Sequence, residues 1–534
     1  MMHAPIYLDY AATTPVDALV ARAMSDCLTA EGDFANPASS THLPGRRAQA
    51  RIERARDEVA ALIGAEPAEI IFTSGATESN NLAILGVARA NADRGRHIIT
   101  SRIEHRAVLD PCRHLEKEGF AVTYLEPDRA GRIAPAALAA VFRADTVLVT
   151  LMHVNNEIGV VQDISACAAL CRERDILLHT DAAQSAGKLA LDVRAVPVDF
   201  LSFTAHKLYG PKGIGALYVR SGRRARLTPV TFGGGQERGL RPGTLPTHQM
   251  VGFGVACNLA RLRRDEEGRL AQLRDRLWSG LKPLGGLHLN GAEALRIPDI
   301  ISVSFEGVQG ESLVTGLTEL ALATGSACSS PTGEPSYVLR ALGRSSLLAQ
   351  STLRFSLGRA TSEADIDGAV QAVSREVRRL RAISPSGIYQ EMTKDKLRSP
   401  PDIGQIEFDI LSPLARQLFT ELPGAGVLED APGVIRGQAG GADSGTWVRF
   451  HLLIDGGTVR DARFQAYGCP HTLAVVAWLA RQLPGRARSA LSLGGPAEWA
   501  GALAVPAEKL GRLLVVEDAL RACLILGTPS GVEC

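Results

Sequence analysis

The chain has 534 residues, of which 46% are apolar and 22% charged, and its formal net charge is +1. This length predicts about three structural units. The near-neutral charge gives no electrostatic reason to expect binding to nucleic acid or to an anionic membrane surface. No apolar run reaches the ~18 residues of a membrane span. The first residues lack a signal-peptide pattern, so we expect a cytoplasmic protein.

The nine cysteines show no CxxC motif and no Cys/His spacing typical of a metal site. This pattern argues against a disulfide framework and against structural zinc. It suits a reducing compartment, in which most thiols behave as small buried side chains.

From about residue 15 to residue 259, helical stretches alternate with short β-rich runs. Arg47–Ile63 and Asn80–Asn91 are the clearest helical stretches, and the β-rich runs read EIIFTS, HIITS, VLVTLMHV, ILLHTDA and DFLSFTA. This order predicts an α/β fold with a mainly parallel sheet and helices on both faces. Ligands of such sheets bind beyond the carboxyl ends of the strands.

The pattern then changes twice along the chain. A charged helix near residues 259–281, the strand IISVSFEG and a helix beginning near Pro335 predict a small α+β domain. We place the large domain at about 14–258, the small domain at about 1–13 and 259–386, and a polar linker at 387–404. A third α+β unit spans 405–534, with strands WVRFHLLID and VRDARFQAYG and helices near Ala474–Gln482 and Glu517–Leu524.

Lys207 lies between two apolar runs, at 200–203 and 214–219, in a turn that contains Gly210. A lysine held beside a buried sheet is partly desolvated, which lowers its pKa and makes the neutral amine a nucleophile or Schiff-base former. The alternative is a surface lysine in a hairpin.

Other polar residues follow neighbouring strands. The loop TSGATES at 73–79 opens a helix and suits a phosphate, although ordinary N-capping is the alternative. Asp181 suits a pyridinium nitrogen, Gln184 a ring hydroxyl, and the flat ring of His105 a planar cofactor. Each has an ordinary structural explanation alone; together with Lys207 they are the parts of a pyridoxal 5′-phosphate site.

Ten motifs resemble those of the cysteine desulfurases of the NifS/IscS type, which are class V aminotransferase-like, fold-type-I enzymes that use pyridoxal 5′-phosphate. The motifs are colinear from Tyr7 to Ser384 and read LDYAATTP, TSGATESNN, EHRAVLD, HVNNEIGV, HTDAAQSAGK, SFTAHKLYGPKGIGALYV, GGGQERGLRPGTLP, ATGSACSS, EPSYVLRALG and LRFSLGRAT. One departure is Gln236, at which many relatives have histidine.

The resemblance implies a role for each matching residue. Lys207 would bind the cofactor covalently and shuttle protons, while His105 would stack on the ring and act in acid–base chemistry. Asp181 would pair with the pyridine nitrogen and Gln184 with the ring hydroxyl. The remaining implied contacts are Ala76, Thr77, Thr204 and His206 on the phosphate, Thr244 on the phosphate of the partner subunit in a homodimer, Asn156 on cofactor and substrate, and Arg354 on the substrate carboxylate.

Cys328 lies in the Gly- and Ser-rich segment TGSACSSPTGEP. The match to ATGSACSS implies that its thiolate attacks the sulfur of L-cysteine, releases L-alanine and carries a persulfide to acceptor or Fe–S scaffold proteins. The length of the segment resembles the long-loop desulfurases. The alternatives are a selenocysteine lyase, or a sulfur-delivery platform without catalysis.

The third unit resembles IscU and the N-terminal domain of NifU over roughly residues 411–524, through GTVRDARFQAYGCPHTLAVVAWLARQL and LLVVEDALRACL. Only Cys469 matches a scaffold cysteine. The other ligand positions fall on Asp443 or Ser444, on Gly445 or Thr446, and on Gly511 and Arg512. One thiol holds neither a cluster nor zinc, so we predict no metal site.

Two functions stay open for this unit. In the first, Cys469 opens an apolar helix, whose dipole lowers the thiol pKa, and accepts persulfide from Cys328 as the single cysteine of SufE-type acceptors does. Tethering would raise its effective concentration to about the millimolar range. In the second, the unit only docks partners. The final destination of the sulfur, whether Fe–S clusters, tRNA thiolation or cofactor synthesis, also stays open.

Overall fold

The computed structural model describes residues 4–223, 226–263, 266–291, 294–324, 335–384, 411–441, 444–488 and 494–525. Cys328, Asp443 and the predicted linker lie outside these ranges. Within them, no helix combines the length and the apolar character that crossing a membrane requires.

The large domain consists of a seven-stranded sheet and its covering helices. Its strands, with the N-terminal strand β1, are β1 (Ile6–Tyr7), β2 (Ile70–Thr73), β3 (His97–Ser101), β4 (Ala121–Leu125), β5 (Thr146–Met152), β6 (Leu177–Asp181), β7 (Phe200–Thr204) and β8 (Gly215–Val219). Its helices are α1 (Ala18–Ser25), α2 (Leu43–Ile63), α3 (Ala76–Ala90), α4 (Arg106–Lys117), α5 (Pro135–Ala140), α6 (Ile164–Arg172) and α7 (Thr247–Leu262).

The strand order of the large sheet is β2-β8-β7-β6-β5-β3-β4, and β8 alone runs antiparallel to its neighbours. Every residue of β5, β6 and β7 is buried, because helices cover both faces. α2 and α7 pack on one face, and α3 and α4 on the other. The predicted parallel sheet is confirmed, and its carboxyl edge carries the polar residues.

The small domain contains an antiparallel sheet of order β12-β13-β10-β9, and a separate parallel pair of β1 with β11. Its elements are α8 (Glu266–Leu281), β9 (Leu287–Leu289), β10 (Ile300–Phe305), α9 (Gly310–Gly316), β11 (Leu320–Ala321), β12 (Ala323–Thr324), α10 (Tyr337–Ala341), α11 (Ser346–Gln350), β13 (Thr352–Ser356) and α12 (Glu363–Ile383). The prediction of a single helix at 259–281 is wrong. α7 ends at Leu262 and α8 begins at Glu266, because Arg263 leaves helical geometry at φ −112° and ψ 40°.

The third unit is a three-stranded antiparallel sheet covered by helices. Its elements are α13 (Pro413–Glu421), β14 (Val434–Gly441), β15 (Thr446–Asp455), β16 (Thr458–Tyr467), α14 (Pro470–Gln482), α15 (Pro496–Leu503) and α16 (Leu510–Ile525). Sequence patterns missed β14, which is rich in glycine. Gly437 is required there, because a Cβ would lie 2.3 Å from the carbonyl oxygen of Ala519 in α16.

The third unit is docked on the small domain of the same chain. One apolar cluster runs through both, including Val373 and Val377 of α12 together with Phe464 of β16. Arg379 of α12 donates to the carbonyl oxygen of Phe419 at 2.7 Å and lies 4.6 Å from its ring centroid. A second patch joins α11 to the third unit through the side chains of Leu347, Leu348, Trp447 and Tyr467.

Candidate active site

A cavity of about 630 Å³ lies at the carboxyl edge of the large sheet. Ten of the predicted site residues line it: Ala76, Thr77, His105, Asn156, Asp181, Gln184, Thr204, His206, Lys207 and Arg354. Thr244 is exposed and does not line the cavity. Cys469 lies in the third unit, away from the cavity lining, and Cys328 is outside the described residues.

Asp181 ends β6 and is buried, with 5% of its surface exposed. Asn80 of α3 donates to its Oδ2 at 2.7 Å, and the Ala183 N–H donates to Oδ1 at 2.9 Å. Each carboxylate oxygen can accept more than one hydrogen bond, so the Asp181 carboxylate can still accept from a donor in the cavity. Sequence reasoning missed Asn80, whose only signal was its place in the helix after TSGATES.

The N-terminus of α3 faces the cavity without a side-chain cap, because the N-cap residue is Gly75. The first N–H groups of a helix have no intrahelical acceptor. Together with the helix dipole they favour an anion. Ala76 and Thr77 supply these groups, and Thr204, whose hydroxyl donates to the Ile214 carbonyl at 3.2 Å, lines the same end.

Lys207 lies in a short 3-10 turn that follows β7. Its ammonium donates to the backbone carbonyls of Ala11 and Ala12, the latter at 2.7 Å. The motif LDYAATTP, to which the sequence alone assigned no role, therefore forms one wall of the site. The amine is held where a carbonyl compound in the cavity can reach it.

Gln184 is 4% exposed, and partners at both ends fix its amide. Its Nε2 donates to the carbonyl oxygen of Ala11 at 2.8 Å, and its Oε1 accepts from Lys188 at 3.1 Å. One N–H of Nε2 is left for a group in the cavity.

His105 is the N-cap of α4, and its Nδ1 accepts from the Ala107 N–H at 3.1 Å. Burial lowers its pKa; the Asp181 charge opposes this shift and the Lys207 charge adds to it. The neutral ring at pH 7 therefore carries its proton on Nε2, an assignment that follows from the hydrogen bond to Nδ1.

His206 is also neutral at pH 7. Burial, with the charges of Lys207 and Lys212, lowers its pKa to about 4. Its Nδ1 lies 3.2 Å from the hydroxyl oxygen of Thr13, so the N-terminal segment again contacts the site.

Arg354 of β13 is 2% exposed and lies at the end of the cavity nearest the small domain. Its Nη1 donates to the Asn156 carbonyl at 2.9 Å, and its Nη2 pairs with Asp9 at 2.8 Å. Within the described ranges, Arg354 Nε and Asn156 Oδ1 are buried without partners. Unsatisfied polar atoms in a cavity favour a polar ligand group, here a carboxylate on the guanidinium.

Cys469 is the N-cap of α14, as predicted, but it is fully buried. Its Sγ lies 3.3 Å from the Thr472 hydroxyl oxygen, and Arg512 is nearby. The residue covering this region is Glu311 of α9, which pairs with Lys509 at 2.8 Å and with Arg512 at 3.4 Å.

One further hydrogen bond and a buried histidine lie at the same interface. Ser312 donates through its hydroxyl to the Gly468 carbonyl at 2.7 Å. His471 is 2% exposed, and neither ring nitrogen has a partner among the described residues. In that part of the chain, no group of three or more His, Cys, Asp and Glu side chains is placed to hold a metal ion.

The cavity fits pyridoxal 5′-phosphate. Its lining includes the buried carboxylate of Asp181, the uncapped N-terminus of α3 and the amide of Gln184. The amine of Lys207 and the neutral imidazole of His105 also line it. These are donors for a phosphate, a partner for a ring nitrogen and an amine for an aldehyde.

Two family models match the chain. Residues 6–368 match aminotransferase class-V, and residues 417–525 match the NifU-like N-terminal domain. The first match spans the cavity, and the second spans the docked third unit.

Characterised proteins of similar sequence share most of this chain. The cysteine desulfurase IscS of Aeromonas hydrophila is 55% identical over 395 residues, 74% of this chain and 97% of its own. That of Azotobacter vinelandii is 53% identical, over 76% of this chain and 99% of its own.

Solved structures agree in fold. A NifS-like protein superposes with a TM-score of 0.65 at 34% identity, over 70% of this chain and 99% of its own. The structure described as SspA in complex with cysteine gives 0.59 at 41% identity, over 66% and 98%.

Proposed function

We propose that this chain, which belongs to the class-V aminotransferase family and within it to the cysteine desulfurases of the IscS type, takes sulfur from L-cysteine onto Cys328. The enzyme class and the dependence on pyridoxal 5′-phosphate follow from family membership. The residue roles below are our proposals.

The cofactor is held by residues of the large domain. The uncapped N-terminus of α3, at Ala76 and Thr77, would bind the phosphate with Thr204 and His206. Asp181 would pair with the ring nitrogen, Gln184 would donate to the ring oxygen, and Lys207 would form the covalent link. When bound, pyridoxal 5′-phosphate supplies an electron sink that weakens the bond between Cβ and Sγ of the substrate.

The substrate is oriented from the small domain. Arg354 and Asn156 hold the α-carboxylate, since both line the cavity and the guanidinium and the amide NH2 can donate to it. The Lys207 amine, which lines the cavity, would move the substrate proton. His105, neutral and protonated on Nε2, would stack on the ring and act as an acid–base group in the cavity.

Sulfur transfer balances without a further reactant. The Cβ–Sγ bond of L-cysteine breaks, an S–S bond to the Cys328 thiolate forms, and the carbon takes a proton. The products are L-alanine and a Cys328 persulfide. This sulfur supplies Fe–S cluster assembly or another thio-cofactor pathway through acceptor proteins.

The observation that carries the proposal is the convergence of Lys207, Asp181 and the uncapped α3 N-terminus on one cavity. The test adds L-cysteine to purified, cofactor-loaded protein and measures alanine and persulfide. We expect stoichiometric alanine with wild type and none with Lys207→Ala. Protein that stays colourless after cofactor addition would contradict the proposal.

A selenocysteine lyase would share the cavity. Cys328→Ala separates the two activities, because cysteine turnover requires a sulfur acceptor on the enzyme. Retained selenocysteine turnover together with weak cysteine turnover in wild type would favour the lyase.

The active protein is proposed to be a homodimer. Thr244 is exposed on this subunit and lies outside its own cavity lining, as expected of a residue that reaches the partner's phosphate. Sedimentation would measure the assembly, and Thr244→Ala should weaken cofactor binding.

For the third unit we propose docking as the main function. Cys469 is fully buried under Glu311, and an apolar cluster continues from the unit into the small domain. Acceptance of persulfide by Cys469 is the second candidate. It is favoured by the position of Cys469 at the start of α14, where the sequence matches a scaffold cysteine, but it requires the interface to open.

Transfer of labelled sulfur from L-cysteine decides between them. Label on the Cys469 peptide of wild type, absent in Cys328→Ala, identifies an acceptor. Sustained turnover with no label at Cys469 identifies a docking unit.

A further inference from the structure

A second lysine, Lys188, lies between the site cavity and a neighbouring cleft. The cleft has a volume of about 300 Å³ and is lined by both domains, including Lys188, Lys207 and Asp299. Gln184 lines the site cavity but not the cleft. Lys188 therefore connects a wall residue of the active site with the junction of the two domains.

The contacts of Lys188 are short and buried. Its Nζ donates to Gln184 Oε1 at 3.1 Å and pairs with Asp299 Oδ2 at 2.8 Å. The side chains of Lys188 and Asp299 are 16% and 5% exposed. An ammonium only donates hydrogen bonds, so the Gln184 atom facing it has to be the oxygen.

The opposite end of the amide gives the same orientation. Nε2 of Gln184 donates to the Ala11 carbonyl, which only accepts, at 2.8 Å. The second N–H is then left for the cavity. A positive charge on the oxygen side also polarises the amide and strengthens this N–H as a donor.

We propose that Lys188 is a positioning residue: it holds the Gln184 amide with its N–H toward the ring oxygen of bound pyridoxal 5′-phosphate. Asp299, just before β10 of the small domain, holds Lys188 in turn. The arrangement makes the strength of one cofactor contact depend on how the two domains meet. The inference rests on the proposed function, which assigns the ring oxygen to Gln184.

The test compares full-length wild type with Lys188→Met, Gln184→Ala and the double variant. Cofactor affinity is measured by titration, together with the position and pH dependence of its visible absorption band. We expect Lys188→Met to bind the cofactor about 3- to 10-fold more weakly and to alter the titration of the band, because a charge-assisted hydrogen bond is lost. In the Gln184→Ala background the lysine change should have no further effect.

Two matched variants serve as controls. Arg263→Met removes another cation that lines the cleft and pairs with Asp17 at 3.3 Å; it should leave affinity and absorption unchanged. Lys188→Arg keeps the charge and the donors and should restore both. If Lys188→Met does not fold, Lys188→Met/Asp299→Asn, which also removes the remaining buried charge, is judged by the same criteria.

Three results would overturn the inference. Unchanged affinity and absorption with only a lower melting temperature would make Lys188 a structural ion pair. An equal effect with and without Gln184 would mean that Lys188 acts elsewhere. A wild type that binds no cofactor would overturn the proposed function as well, which distinguishes that failure from the other two.

Discussion

The desulfurase cavity and the buried surface of the third unit each contain an arginine and a histidine, but in different surroundings. In the desulfurase, Arg354 and His105 line an open cavity. In the third unit, Cys469 and His471 are buried against Glu311 of the same chain. The first arrangement is a site for small molecules, whereas the second is an interface.

The difference lies in what satisfies the polar atoms. Arg354 lines the cavity and has a buried Nε without a partner among the described residues. Arg512 is near both Cys469 and Glu311, so its charge already has partners. A domain with a scaffold-like fold can therefore keep the cysteine that caps a helix although the other metal-ligand positions hold different residues. The surface around that cysteine then serves for docking.

The largest expected effect separates the two cysteines. Cys328→Ala should lower cysteine turnover at least about 10³-fold, because it removes the nucleophile. Cys469→Ala, the matched change in the third unit, should alter initial turnover less than about twofold, since docking rather than chemistry is affected. Alanine formation in single- and multiple-turnover assays measures both. Equal losses of turnover in the two variants would contradict the assignment of Cys328 to the active site and of Cys469 to an interface.

The two arginines give the next contrast. Arg354→Lys keeps the charge but loses the fork that binds a carboxylate, so kcat/KM should fall about 10- to 100-fold, mostly through KM. Arg512→Lys should leave kcat/KM for L-cysteine unchanged. Steady-state kinetics on both variants checks this, and a comparable drop for Arg512→Lys would place the third unit in the catalytic machinery.

Docking itself should depend on Glu311. Glu311→Gln leaves the buried Lys509 and the partly buried Arg512 without this counter-charge, and breaking a buried pair costs about 3 to 5 kcal/mol. Maleimide labelling of Cys469, followed by peptide mass spectrometry, should accelerate about 100-fold or more.

The control for this change is Glu319→Gln, which removes an exposed pair with Arg375 on the same domain. Exposed pairs contribute little, so labelling should stay slow. Slow labelling in Glu311→Gln as well would show that apolar contacts alone hold the interface.

The smallest expected effect is on pH dependence. Burial, together with the Lys509 charge, lowers the pKa of His471 to about 4, below its ordinary 6.5. Between pH 6.5 and pH 4, His471 therefore binds a proton in the opened state but not in the docked state. Docking is strongest above pH 6.5 and weakens as the pH falls toward 4. At pH 5 the loss should be about 1 to 2 kcal/mol.

Labelling of Cys469 across pH 4.5–7.5, corrected for the intrinsic reactivity of a free thiol, measures this effect. His471→Asn should flatten the profile. An unchanged acid dependence in that variant would assign it to other groups.

Much of the large domain was predictable because local patterns determine it. Continuous apolar runs such as HIITS became buried parallel strands, and polar residues that end them, such as Asp181, met at one edge. The helix break at Arg263 was not predictable, since no glycine or proline marks it. β14 was missed because it is rich in glycine. Gly437 is required by its close contact with α16, a helix that follows much later in the chain.

The partners of site residues were the least predictable part. Lys207 is held by Ala11 and Ala12, and Gln184 by Lys188 and Ala11. A pattern search does not find the contacts with Ala11 and Ala12, because backbone carbonyls leave no signature in sequence. The burial of Cys469 was equally unpredictable, because Glu311 and Lys509, which pair at this interface, are 198 residues apart in the sequence. From sequence, Cys469 at a helix start suggested an accessible thiol.

The N-terminal segment that bonds Lys207 also determines when the site can form during synthesis. Asp9 pairs with Arg354 across a separation of 345 residues, and Ala11 reaches Ser356 over the same span. A ribosome adding about 5 to 20 residues per second needs about 20 to 70 s to cover that distance. The segment can meet Gln184 and Lys207 earlier, across separations of 173 and 196 residues, but the end of the cavity at Arg354 is completed only when almost the whole desulfurase has been synthesised.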